Sequence, residues 1–289
     1  MKMPTVKNLL QEAKQQLKQL HKDENVARVL LSHLLQKEYH EIYLMMEDEV
    51  SDKIVKKFKN GMEEYFQGKP IQYIKGVETF FGRDFEVNEN VLIPRYETEE
   101  LVENVLTLIQ CYFKDQSHLN VCDVGTGSGA IAITLKSELP SLNVIATDIS
   151  DKALDVAKNN SLKHHTEITF YQGDMIEPLI HHKVKADVFI SNPPYIKESE
   201  LLDEAVKNYE PHLALFGGKD GLYFYHKIFQ SVSSILNDRA ILAFEIGYDQ
   251  KESLSKAVEY YFKDAEYEIV KDINGKDRML FIYKNIEKK

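Results

Sequence analysis

One segment constrains this chain more than any other. The apolar strand pattern Val121-Cys122-Asp123-Val124 runs into Gly125-Thr126-Gly127-Ser128-Gly129-Ala130 and directly on into an apolar helical run from Ile131 to Leu135. Glycines at such a turn let the backbone approach a ligand closely, and the helix N-terminus behind them favours an anionic group. Strand, glycine turn and helix with no intervening loop open a βαβ unit. Strand candidates at 119–124, 143–147, 168–171, 187–191, 240–245, 267–270 and 278–283 alternate with helical patterns from Tyr96 onward. The expected class is therefore α/β: a mainly parallel, Rossmann-like sheet with helices on both faces and ligands at the strand carboxyl ends. No helical run separates Tyr267 from Tyr283, so the last two strands are expected to pair as an antiparallel hairpin at one edge.

Residues 5–67 carry helical spacing and no strand alternation. Leu9, Leu10, Ala13, Leu17 and Leu20 make one apolar stripe; Val26, Val29, Leu30, His33 and Leu34 make a second; Ile54, Val55, Phe58, Met62, Tyr65 and Phe66 make a third. Asp23 and Ser51 fit as N-caps, and Gly68 before Pro70 fits as a stop. Residues 71–95 read as extended, with Phe80, Phe81, Phe85, Val87, Val91 and Ile93 punctuated by Gly76, Gly82 and Asn88, which suggests a hairpin. The expected division is an N-terminal helical bundle over 1–77, a β-hairpin linker over 78–95 and the α/β domain over 96–289.

Composition narrows the setting. At 289 residues the chain exceeds a typical single domain, and 43% hydrophobic content suffices for a substantial core. No window approaches the roughly 18 uninterrupted apolar residues of a membrane span. Met1-Lys2-Met3-Pro4 leads into a polar amphipathic helix rather than a signal sequence, so a cytoplasmic address without membrane association is expected. Cys111 and Cys122 are the only cysteines, which fits two free thiols in a reducing compartment, Cys122 serving as a small buried hydrophobe. The formal net charge of −10 disfavours stable nucleic-acid binding. Residues 1–77 carry +2 and the remainder −12, as two domains with different surfaces would. No His/Cys/Asp/Glu cluster has metal-ligand spacing, the His164-His165 and His181-His182 pairs read as polar loop residues, and Lys288-Lys289 forms a short basic tail.

Gly125, Gly127 and Ala130 also fit the dinucleotide pattern, so the glycine turn says nucleotide-like cofactor without saying which. Asp148 ends the next strand, where a ribose-binding acid belongs; it could instead cap the helix from Lys152, a role Ser150 or Asp151 would fill equally well. Ribose is the favoured reading. Asp174, with Met175 beside it as an apolar wall, fits an acceptor for the adenine amine and a turn aspartate alike. Asp123 is expected to orient the glycine turn. A second motif decides the cofactor. Asn192-Pro193-Pro194-Tyr195 follows the buried-strand pattern Ala186-Asp187-Val188-Phe189-Ile190 and suits a planar NH2 group: the Asn192 oxygen accepts one N–H, the carbonyl of Pro193 accepts the other, and Tyr195 offers a flat face. Proline fixes φ and forces the preceding residue into an extended conformation, so this loop is stiff. Hydride transfer has no use for such a loop. The pair reads as S-adenosyl-L-methionine with a planar nitrogen acceptor.

With those two motifs, Phe80-Phe81-Gly82-Arg83-Asp84-Phe85, Val91-Leu92-Ile93-Pro94-Arg95-Tyr96-Glu97-Thr98-Glu99, Glu210-Pro211, Gly218-Lys219-Asp220-Gly221-Leu222, Phe244-Glu245-Ile246-Gly247 and Gly275-Lys276-Asp277-Arg278, the chain resembles the glutamine methyltransferases of peptide chain release factors, the bacterial HemK/PrmC family. The resemblance spans residue 70 to the C-terminus; residues before it match only in length and helical pattern. Tyr96 stands where the family has its second proline. What the resemblance implies is a class I S-adenosylmethionine-dependent methyltransferase domain behind a substrate-docking helical domain, acting as a monomer on the Gly-Gly-Gln glutamine of class I release factors. It places Arg95 and Glu97 near the methionine end of the cofactor and the substrate, where a structural ion pair fits them nearly as well. A ribosomal-protein glutamine is the alternative substrate, and DNA adenine a more distant one because of the acidic balance. A non-catalytic, cofactor-regulated binding protein is disfavoured by intact Gly125, Gly127, Asp148 and Asn192.

Overall fold

The computed structural model describes residues 3–287, so the Lys288-Lys289 tail lies outside it. The chain forms two compact units, one reaching to Val77 and including Asp203–Tyr209, the other comprising Glu78–Leu202 and the chain from Glu210 onward.

The first unit holds helices α1 (Val6–Gln19), α2 (Val26–Leu35), α3 (Asp52–Phe66) and α4 (Ile71–Lys75). Thr5 starts α1 with a reciprocal cap: its hydroxyl accepts from Asn8 N at 3.3 Å and Asn8 Oδ1 accepts from Thr5 N at 3.0 Å. Leu9, Ala13 and Leu17 are buried as their spacing requires, whereas Leu20 lies past the helix end and is 51% exposed. In α2 Val26 and Leu30 are buried and Leu34 packs partly buried against the core as expected, but Ala27 and Leu31 complete the buried face in place of Val29 and His33, because this helix packs on α1, α3 and α4. Asp23 caps a turn, its Oδ1 accepting from Asn25 N at 2.9 Å, and Ser51 occupies the N-cap position of α3 without a side-chain bond. The expectation of extended chain over 71–95 fails at its start. Ile71–Lys75 is helical, entered at Pro70 and stopped at Gly76, whose φ of +73° suits glycine, and it buries Tyr73. Asp203–Tyr209 belongs to this unit through Tyr209, whose hydroxyl donates to Gln67 O at 3.2 Å.

The second unit begins with a hairpin, β1 (Val77–Phe80) and β2 (Arg83–Glu86), and continues through α5 (Tyr96–Tyr112), β3 (Asn120–Val124), α6 (Ala130–Glu138), β4 (Asn143–Asp148), α7 (Asp151–Lys163), β5 (Ile168–Gln172), α8 (Glu177–His181) and β6 (Ala186–Ser191). After α9 (Glu204–Tyr209) come α10 (Tyr223–Phe229), β7 (Leu236–Glu245), α11 (Lys251–Tyr261), β8 (Glu266–Lys271) and β9 (Asp277–Lys284). The hairpin is more than a linker: Phe80 and Phe85 are fully buried in the core of this unit.

β3 to β9 form one seven-stranded sheet in the order β5-β4-β3-β6-β7-β9-β8. Pairs from β5 to β7 are parallel; β9 runs antiparallel to β7 and to β8, which makes the expected terminal hairpin with β8 at the edge. Strand alternation sends Val121, Val188, Ile190 and Ile241 to one face, under α5 and α6, and Cys122, Val124, Phe189 and Phe244 to the other, under α10 and α11. This is the class I methyltransferase fold. No helix among the described residues is long and apolar enough to cross a membrane.

Candidate active site

Strand order reverses between neighbours β3 and β6, with β4 and β5 on one side and β7 on the other. At such a switch point the loops leave in opposite directions and open a crevice at the strand carboxyl ends. Gly125–Gly129 leaves from β3 and Asn192–Tyr195 from β6, and Ser191 Oγ ties the two by donating to Val124 O at 2.6 Å.

Gly125 and Gly127 have φ of +77° and +54°, and a Cβ on either would meet no protein atom within 4 Å. At Gly129 a Cβ would stand 2.9 Å from Ile133 Cδ1 and 3.2 Å from Ala157 Cβ, so this glycine serves helix packing instead. Asp123 is fully buried; its Oδ2 accepts from Thr126 Oγ1 at 2.6 Å and holds the turn, while Oδ1 has no hydrogen-bond partner among the described residues. Burial lifts its carboxyl to about 7. Asp148 accepts from Gly127 N through Oδ2 and from Ser150 N through Oδ1, both at 2.9 Å. Burial raises its pKa, opposed by those backbone bonds. Ser150 caps α7, its hydroxyl accepting from Ala153 N at 3.2 Å, so the cap does not need Asp148.

A cleft of about 870 Å³, open mouth included, runs along these loops and is lined by Gly125, Gly127, Asp148, Met175, Asn192 and Pro194, with Leu92 and Leu213 adding apolar surface. Thr126 and Ser128 are buried and, like Gly129, are not part of the lining. Asp174 is also off the lining; its Oδ2 pairs with Lys227 of α10. Burial pushes the Cys122 thiol up to about 12, as suits a strand residue with no chemistry.

In the second loop Asn192 Nδ2 donates to Glu245 Oε2 at 2.9 Å and to Thr98 Oγ1 at 3.2 Å. Thr98 Oγ1 donates to the same Glu245 oxygen at 2.5 Å, and the Tyr195 hydroxyl donates to Glu245 Oε1 at 3.0 Å. Asn192 Oδ1 and the Pro193 carbonyl have no hydrogen-bond partner among the described residues. Burial raises the Glu245 pKa, opposed by the Thr98 and Tyr195 bonds and by Arg278. Burial, with the charge of Glu245, drives the Tyr195 hydroxyl well above its ordinary value. Arg95 is not paired with Glu97. Its Nη2 meets Glu210 Oε1 at 2.5 Å, while Glu210 Oε2 accepts from Ile93 N at 3.3 Å. Tyr96, 78% exposed, opens α5 where proline would be favoured; Glu210 supplies the bracing instead. Glu97 stands near enough to Glu245 and Tyr195 for its charge to raise both.

Two family models match: Methyltransferase small domain over residues 103–217 and PrmC N-terminal domain over residues 8–76. A release factor glutamine methyltransferase of Bacillus subtilis (strain 168) is 42% identical over 287 residues, 98% of this chain and 100% of that one. One from Bacillus cereus is 44% identical over 262 residues, 90% of this chain and 92% of that one. The chain belongs to the release factor glutamine methyltransferase family. Its fold is also that of a solved methyltransferase from Pyrococcus furiosus, with TM-score 0.52 at 18% identity over 79% of this chain and 100% of that one.

For a methyltransferase of this family, the residues that reading the sequence did not place in the site are Thr98, Glu210, Glu245 and Arg278. Glu245 carried two usable signals, its place in the Phe244–Gly247 block of the family resemblance and its position as a lone carboxylate closing the apolar run from Ala240 at a strand carboxyl end. Thr98 lies within the Val91–Glu99 block that carries the family resemblance, but as one threonine in the first turn of a helix it shows no reason of its own to reach the site.

Proposed function

We infer that this protein methylates N5 of the glutamine in the Gly-Gly-Gln motif of class I peptide chain release factors, with S-adenosyl-L-methionine as donor. The names of its relatives support the substrate class, and one observation supports the chemistry: Asn192 Oδ1 and the Pro193 carbonyl are two acceptors left unpaired on a stiff loop beside the cleft. The cleft suits the cofactor. Bare Cα atoms at Gly125 and Gly127 leave room for close approach, and Asp148 keeps lone pairs for ribose hydroxyls beyond its two backbone bonds. Met175 offers an apolar wall for adenine, while Asp174, off the lining and paired with Lys227 through Oδ2, would have to turn its Oδ1 toward the cleft to take the exocyclic amine. Bound there, the cofactor supplies a methyl group on a cationic sulfur. An amide nitrogen is a weak nucleophile because its lone pair is delocalised, so the chain must align it. Hydrogen bonds from its two N–H groups to Asn192 and Pro193 do this, and positioning is worth several kcal/mol, up to roughly 7–11 at the limit. Tyr195 and Pro194 form the stiff end of the substrate loop, Glu97 is near enough for its charge to act on Tyr195, and Arg95 braces the entry to α5 through Glu210. The net charge of −10 weighs against nucleic acid as substrate.

The test is mass spectrometry of purified release factor after incubation with this protein and the cofactor. One added methyl, mapped to the Gly-Gly-Gln glutamine, is expected; none on that peptide, with cofactor still bound, refutes the substrate.

A further inference from the structure

The side-chain amide of Asn192 can fill its space in two orientations, with Oδ1 or with Nδ2 toward the cleft, and only the first accepts a substrate N–H. In the structure Nδ2 is turned inward onto Glu245 Oε2 and Thr98 Oγ1. Thr98 is free to accept because its own proton goes to Glu245 Oε2. The remaining carboxylate oxygen takes the Tyr195 hydroxyl. Glu245 thus receives donors from both ends of the Asn192–Tyr195 loop, and at 2% exposure it has no water to substitute for them. Three donors on its two oxygens hold Glu245 as the carboxylate against the effect of burial, and a carboxylate has no proton to give. Turning the Asn192 amide over would set Oδ1 against Glu245 Oε2 at hydrogen-bond distance with nothing between them.

We propose that Glu245, assisted by Thr98, is a positioning residue that locks Asn192 with its oxygen toward the substrate, so that the loop presents acceptors only to the incoming NH2 group. Its use in glutamine methylation rests on the function inferred above. Thr98 adds to the bias because its hydroxyl, committed as a donor to Glu245, has only lone pairs left for Asn192.

The lock is tested by reversing its polarity. Asn192→Asp places two carboxylates in contact, so one must take up a proton. Glu245→Gln can face Asn192 with either end of its amide and so loses the bias. The double variant Asn192→Asp, Glu245→Gln restores one N–H between the two side chains, running the other way, and returns an acceptor oxygen to the cleft. With release factor as substrate, both single variants are expected to lose kcat with cofactor affinity retained. The double variant is expected to exceed Asn192→Asp by about tenfold or more, the size of an ordinary coupling between bonded neighbours. Losses that simply multiply would overturn the proposal. A second readout needs no substrate: hydrogen exchange of the Asn192 side-chain NH2, followed by nitrogen-15 NMR. Exchange is expected to be slow in the native protein and at least about tenfold faster when Glu245→Gln is combined with the isosteric Thr98→Val. Slow exchange lost in that variant, with no methyl reaching release factor from the native protein, would keep the lock and sink the substrate. Unchanged exchange in a native protein that does methylate release factor would sink the lock alone.

Discussion

The two loops that meet at the switch point are built differently. The glycine turn after β3 takes its shape from backbone conformations that only its own residues need adopt, and its supports, Asp123 and Asp148, lie 3 and 21 residues from the atoms they hold. The Asn192 loop after β6 is stiffened locally by two prolines, but the direction of its asparagine amide depends on Glu245 and Thr98, 53 and 94 residues away. One end of the site is a backbone shape. The other is a hydrogen-bond polarity, set by side chains that belong to no motif containing Asn192.

This contrast predicts separable losses. Asn192→Ala should have the largest effect, lowering turnover by about 10²–10³ with little change in cofactor affinity, since in the proposed function it removes an acceptor for the reacting amide. Titration calorimetry beside single-turnover assays would check it, and loss of cofactor binding in a folded variant would break the division between the loops. Gly127→Ala should do the reverse. A methyl group thrust into the cleft at φ +54° should weaken cofactor binding about tenfold and leave turnover at saturation near native, given the roughly 1–2 kcal/mol cost of that conformation.

A smaller effect is expected from Thr98→Val, which keeps shape and removes one bond from Glu245. Turnover should fall about fivefold with cofactor affinity unchanged, a loss of about 1 kcal/mol, the typical net value of one hydrogen bond. Equal losses in affinity and turnover would make Thr98 part of a common scaffold rather than of the second loop.

The smallest effect concerns stability. The folded Asp123 carboxyl titrates at about 7 against an ordinary value of 3.8, so the folded chain holds a proton that the unfolded chain has released. The stability this contributes is fully present below the ordinary value and is lost as pH rises through about 7, with a slope of at most ~1.4 kcal/mol per pH unit. Asp123→Asn keeps an acceptor for Thr126 and should flatten that slope between pH about 4 and 7 in denaturant titrations. Parallel curves for the two proteins would contradict the assignment.

The α/β sheet was legible because buried parallel strands write themselves as short apolar runs and the helices between them as amphipathic stretches. The edge hairpin was legible because nothing helical separates its strands. Short α4 was missed: five residues between Pro70 and Gly76 are too few to show a helical period. The stripe of α2 was misjudged in part: Val29 and His33 have the right spacing, yet the buried face of a helix with three neighbours is set by all of them at once and takes Ala27 and Leu31 instead. Arg95 shows the same limit. An ion pair could be imagined with nearby Glu97, but the partner is Glu210, 115 residues away.

The sequence by itself determined the sheet class, the glycine turn and the stiff Asn-Pro-Pro-Tyr loop, since each rests on the torsional preferences or burial period of consecutive residues. Only the tertiary structure decided what those loops present to a ligand. Which oxygen of Asp148 is already engaged, that Asp174 is paired to Lys227, and that Asn192 faces outward with its acceptor all follow from which distant side chains the folded strands and helices bring within about 3 Å, the range over which a hydrogen bond selects donor from acceptor.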